Sequence, residues 1–73
     1  MATKRKGQTV QSVERSLAIL EAMAREGEPM SLKDISAEVE LTPSTVHRLL
    51  ATLMSRGFVR QDPATGHYFL GLK

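Results

Sequence analysis

Thr45, Arg48, Thr52 and Ser55, with Ser44 beside the first, recur three or four residues apart in "LTPSTVHRLLATLMSRG", the stretch from Leu41 to Gly57. Short hydroxyls around one guanidinium suit binding rather than catalysis. Small side chains let a backbone approach a phosphate or a base edge, and an arginine can grip guanine O6 and N7, or a phosphate, with two parallel bonds. The start of a helix adds free N–H groups and a partial positive charge, both favourable to an anion; these fall at Ser44 and Thr45. Ser44 and Thr45 have a plainer reading as first-turn polar residues, and Arg48 as a solvated arginine. His47 stands at the edge of the apolar side, where half-buried packing competes with contact to a ligand.

Other chemistry has little to stand on. There is no cysteine, and His47 and His67, the only histidines, match no metal-ligand spacing. No pair of carboxylates lies in an apolar setting, and no glycine-rich loop is present. We therefore expect no enzyme, no metal and no cofactor.

The elements that must position this face follow from periodicity. Val46, Leu49, Leu50, Leu53 and Met54 form an apolar side opposite Ser44, Arg48 and Ser55, with Ala51 and Thr52 flanking. Thr42 as N-cap with Pro43 at the first helical position starts this helix, and Gly57 stops it. A shorter helix precedes it, capped by Ser31 with Asp34 three residues on, and showing Leu32, Ile35 and Val39 on one face. The break between the two, Glu40 to Thr42, is that of a helix-turn-helix, spanning about 31–56.

After Gly57 the period changes. "FVRQ" and "HYFL" flank "DPATG", whose Asp, Pro and Gly suit a short hairpin closed by a left-handed residue. Such a hairpin is marginal alone, so it should pack through Phe58, Tyr68 or Leu70. Three helices followed by a two-stranded hairpin at about 58–70 is a winged helix-turn-helix, mainly α with a small β element. We expect one domain over 10–73, preceded by a basic arm at 1–9.

The first helix should start near Val13 with Ser12 as its cap and end at "REGEP". Its apolar arc spans roughly 160°, against the ~100° a surface helix needs. Val13, Leu17, Leu20 and Ala24 are expected to face the other two helices. That leaves Ile19, Ala22 and Met23 for a second copy of the chain. The Met residues at 23, 30 and 54 otherwise read as core filler.

A chain of 73 residues supports one thin core. Without cysteines no disulfide reinforces it, which fits a reducing compartment. No run approaches the ~18 apolar residues of a membrane span, and the basic start leads into no apolar stretch, so we expect a soluble, cytoplasmic protein without a membrane partner. The net charge of +2 is small, but its distribution is uneven: Lys4, Arg5 and Lys6 carry no acid among them, residues 7–40 are net −4, and residues 41–73 are net +3. A basic arm and a basic C-terminal half point to a polyanion. Arg60, Thr65 and His67 on the hairpin, and Lys4, Arg5 and Lys6 on the arm, are the candidates for contact with a nucleic-acid backbone.

"TVQSVERSLAILEAM", "LTPSTVHRLLATL", "GFV" and "YFLG" together resemble the N-terminal DNA-binding domain of the IclR family of bacterial transcriptional regulators. The resemblance runs from Thr9 to Leu72 with the blocks in the family's order. It implies a winged helix-turn-helix that binds double-stranded DNA at palindromic operators as a homodimer paired near the first helix. On it, Ser44, Thr45 and Arg48 fall in the recognition-helix block and "DPATG" in the wing. The family's C-terminal effector-binding domain has no counterpart here, so a small-molecule effector is expected to act only through that absent domain, and the chain reads as a fragment of a regulator. Two positions depart from the family pattern: Glu40 stands where glycine is common in the turn, and Ser36 where alanine is common. The competing function is a winged helix that only docks proteins. Such a module would tolerate an acidic or apolar outer face on the third helix; this one is neutral to basic.

Overall fold

Thr42 and Pro43 begin a helix as their types dictate: the Thr42 hydroxyl accepts the N–H of Thr45, and Pro43 occupies the first turn of α3 (Pro43–Ser55). The computed structural model describes residues 9–71; Lys4, Arg5 and Lys6 of the basic arm lie outside them. Before α3 come α1 (Gln11–Glu26) and α2 (Leu32–Val39), and after it the antiparallel pair β1 (Val59–Gln61) and β2 (Tyr68–Leu70). This is the winged helix-turn-helix order that the periodicity predicts. Among the described residues no helix is long and apolar enough to cross a membrane.

The helix ends are set locally. Ser31 caps α2 by accepting from the Asp34 N–H at 3.0 Å. At the other end of α2, Glu40 adopts a left-handed conformation (φ 58°), and the N–H groups of Glu40 and Leu41 both turn back to the Ser36 carbonyl. The turn thus keeps the glycine-like geometry of a helix-turn-helix without a glycine. Ser36 is buried, and its hydroxyl donates to the Leu32 carbonyl at 2.8 Å, so it costs no unmade hydrogen bond. At the end of α3, Gly57 is left-handed (φ 85°); the Gly57 N–H bonds the Met54 carbonyl and the Phe58 N–H the Leu53 carbonyl. That pair of bonds is a Schellman ending.

The core joins all five elements: Ile19 and Met23 of α1, Met30, Ile35 of α2, Val46, Leu50 and Leu53 of α3, and Val59 and Tyr68 of the hairpin. Here two expectations fail. Ile19, Ala22 and Met23, assigned from the sequence to a partner chain, are 0%, 2% and 3% exposed inside this one. Val13 and Leu17, assigned to the core, are 53% and 50% exposed, and Ala24 is exposed as well. The apolar arc was wide enough for either choice: periodicity fixes spacing round a helix, whereas the direction of burial is set by where α2, α3 and the hairpin lie. Ser12 is likewise not the cap of α1; the helix begins two residues earlier than expected, at Gln11 after Val10, with no side-chain cap.

The hairpin docks through Val59 and Tyr68, with Leu70 partly buried, and not through Phe58, which is half exposed. Phe58 belongs to the Schellman ending of α3, so the helix end sets its direction and Val59 becomes the first strand residue to point inward. The turn Asp62–Gly66 closes as expected, with Gly66 left-handed (φ 80°) and the Asp62 carboxylate accepting the Ala64 N–H at 2.9 Å.

Candidate nucleic-acid interface

Burial of Val46, Leu50 and Leu53 turns the opposite side of α3 to solvent. Ser44, His47, Arg48, Ala51, Thr52 and Ser55 are all exposed, and Thr45 is half-buried. His47 therefore stands outside the core, ending the ambiguity in its sequence position. Not every polar group on this face is free. The Thr45 N–H is taken by the Thr42 cap at 3.4 Å, and its hydroxyl accepts from the Thr42 hydroxyl at 3.0 Å. The Thr52 hydroxyl donates to the Arg48 carbonyl at 3.4 Å and that of Ser55 to the Thr52 carbonyl at 2.6 Å. Thr45 can still donate, whereas Thr52 and Ser55 are left with acceptor capacity toward a ligand.

Charge supports the same surface. Among the described residues the one ion pair is Arg25 to Glu38 at 3.4 Å, joining α1 to α2 away from this face. Arg48, Arg56 and Arg60 have no carboxylate partner there. On the hairpin, Arg60 and Thr65 are exposed and His67 is half-buried; the Thr65 hydroxyl accepts the His67 N–H at 3.1 Å, which stiffens the tip. Gln61, unmarked in the sequence, donates its side-chain amide to the Gly66 carbonyl at 3.0 Å and braces the same turn. No group of three or more potential metal ligands occurs among the described residues.

One feature of this face escaped the sequence. The first turn of α1 runs beside α3, and Gln11, Ser12 and Arg15 there line a cleft of about 260 Å³ with Thr45, Arg48, Leu49 and Thr52. The signal was available: Arg15 precedes Ile19 by four residues, on the line of α1 that the structure buries.

The model of the IclR helix-turn-helix domain matches residues 12–63, well over half of the chain. The chain belongs to the IclR family. The HTH-type transcriptional regulator XynR of Escherichia coli (strain K12) is 42% identical over 64 residues, covering 88% of this chain and 25% of that protein. The crystal structure of HmgR from Pseudomonas aeruginosa superposes with a TM-score of 0.80 at 40% identity, over 85% of this chain and 26% of that one. An IclR-family regulator from Brucella abortus does so with a TM-score of 0.83 at 30% identity, over 92% and 26%. This chain spans about a quarter of the length of the relatives it matches. Membership of the family makes it a DNA-binding domain of a transcriptional regulator, with the winged fold of its solved relatives.

Proposed function

We propose that this IclR domain binds operator DNA as a homodimer, with α3 in the major groove of each half-site and the hairpin on the flanking backbone. The observation that carries this is the exposed face of α3, in which Arg48, without a carboxylate partner among the described residues, stands among Ser44, Ala51 and Ser55. These neighbours are short enough to let Arg48 and His47 reach base edges. Arg60, Thr65 and His67 are assigned to the backbone, as are Lys4, Arg5 and Lys6 of the arm at 1–9. Positioning of this kind fixes register without reading sequence.

Pairing is assigned to the exposed apolar side of α1. Val10, Val13 and Leu17 are each at least half exposed, and Val13 and Leu17 continue into a groove with Leu20 and Leu49. An apolar strip of this kind on a small domain is costly to leave in water. A two-fold pair would match a palindromic operator, with half-sites one helical turn or multiples of it apart. The chain would then act at the nucleoid in the cytoplasm, without catalysis, and any small-molecule effector would act through another domain of the whole regulator.

A gel shift on random-sequence duplex at low salt, followed by selection of bound sequences, tests the reading. Binding followed by enrichment of an inverted repeat is expected. No affinity for any duplex would leave the docking-module function in its place.

A further inference from the structure

α1 has three surfaces with different fates. Ile19, Ala22 and Met23 are buried, Val13 and Leu17 form an exposed apolar strip, and Glu14 and Glu21 lie on the remaining side. Arg15 does not share the side of Glu14 and Glu21, and Glu26 stands eleven residues away at the other end of the helix. Placed at 100° per residue Arg15 lies in line with Ile19 and Ala22, while Glu14 and Glu21 fall about 100° and 120° round the helix from it. The buried line of α1 therefore ends in an arginine at the point where the core runs out.

That arginine meets the flank of α3. Arg15 and Arg48 line the same cleft, with Gln11 and Ser12 at the start of α1 and Thr45, Leu49 and Thr52 along α3. Among the described residues neither guanidinium has a carboxylate partner or donates a side-chain hydrogen bond within the protein. Two like charges on one cleft with no counter-ion repel each other and favour an anion between them. The hydroxyls of Thr45 and Thr52 stand on its wall, the first with its donor free. The volume of about 260 Å³ is several times the ~30 Å³ share of a liquid water, room for a phosphate and its nearest waters.

Resting on the DNA-binding reading above, we propose that this cleft seats one backbone phosphate of bound DNA, held by Arg15, so that α1 is a third DNA-contacting element beside α3 and the hairpin. Arg48 forms the outer rim and adds its charge to the same well while its side chain reaches into the groove. Leu49 divides the two uses of this side of the domain, since it lines both the arginine cleft and the apolar groove of Val13, Leu17 and Leu20. A phosphate fixed there holds a strand at a set distance from the pairing strip, and so couples the register of α3 to the position of the second copy.

The test compares the 73-residue chain with Arg15→Gln and Arg15→Lys on one random-sequence duplex across a salt series. Arg15→Gln is expected to bind roughly tenfold more weakly at low salt, and its plot of log affinity against log salt should be shallower by about 0.9, one phosphate contact. Arg15→Lys keeps the charge and should keep the slope. In the unmodified chain, the backbone amides of Gln11 and Ser12 should shift in nuclear magnetic resonance spectra as duplex is added, a readout that depends on no variant. An unchanged slope in Arg15→Gln overturns the assignment. So does a lowered melting temperature with an unchanged slope, because it would make Arg15 only an edge to the core. Amides of Gln11 and Ser12 that stay still would do the same. If the unmodified chain binds no duplex at all, the DNA-binding reading falls first and this one with it.

Discussion

The backbones of Met30 and Tyr68 exchange two hydrogen bonds, the Met30 N–H to the Tyr68 carbonyl at 2.9 Å and the Tyr68 N–H to the Met30 carbonyl at 2.7 Å. The segment between α1 and α2 thereby pairs with β2, and both side chains enter the core at 6% and 4% exposure. A two-stranded ribbon that would be marginal alone is thus fixed on the helices. Tyr68→Ala should cost about 3 kcal/mol or more, since it empties a large buried site. That is a large part of the stability of a domain this size. Urea unfolding followed by circular dichroism checks it; a loss below about 1 kcal/mol would show that the hairpin does not support the core.

The two sides of α1 make opposite predictions. Ile19→Glu buries a charge where the structure leaves 0% exposure, and the chain should fail to fold. Leu17→Glu changes a residue that is 50% exposed, so its helicity and melting temperature should stay near those of the unmodified chain. Pairing and cooperative half-site binding should nevertheless be lost. Sedimentation velocity with and without operator duplex measures this. A Leu17→Glu chain that still pairs would move the dimer contact off this strip.

What could be read in the sequence was whatever is decided within a few residues. Ser31 with Asp34, Thr42 with Pro43, and the Asp62–Gly66 turn carry their geometry in their own side chains, and each stands as expected. The outward face of α3 was legible because its buried residues, Val46, Leu50 and Leu53, lie at the middle of its apolar arc, with Ser44, Arg48 and Ser55 opposite. On α1 the apolar residues cover too wide an arc, so the buried side depended on contacts with residues distant in sequence. Phe58 and Val59 show the same limit at single-residue scale. Adjacent strand residues point to opposite faces, and the left-handed Gly57 settled which of them went inward. The cleft of Arg15 was hidden by the α1 error, because an arginine on the side assigned to a second copy has no expected neighbour on α3.

Glu40 holds a left-handed conformation that costs a residue with a Cβ roughly 1–2 kcal/mol. Glycine removes that strain, at the expense of about 0.5–1 kcal/mol of added freedom in the unfolded chain. Glu40→Gly should therefore raise stability by about 0.5–1 kcal/mol, or several degrees in melting temperature for a domain of this size. Glu40→Ala retains the penalty and should gain nothing, while Glu40→Gln reports any effect of charge alone. Equal gains in all three would trace the effect to charge and not to the backbone.

Arg48 and Arg60 separate reading from holding. Arg48 lies at the centre of the exposed face of α3 with Ser44, Ala51 and Ser55 around it, whereas Arg60 lies on β1, opposite Phe69 in the hairpin. Arg48→Ala should cost about 1–3 kcal/mol on the selected operator and relax the preference at one position of each half-site. Arg60→Ala should weaken binding evenly across sequences and make its salt dependence shallower by about one contact. Neither change should alter the melting temperature by much, because both side chains are exposed. Competition binding with the selected operator and a scrambled duplex distinguishes the two. An even loss across sequences in Arg48→Ala would place that guanidinium on the backbone, and leave base reading to Ser44 and His47.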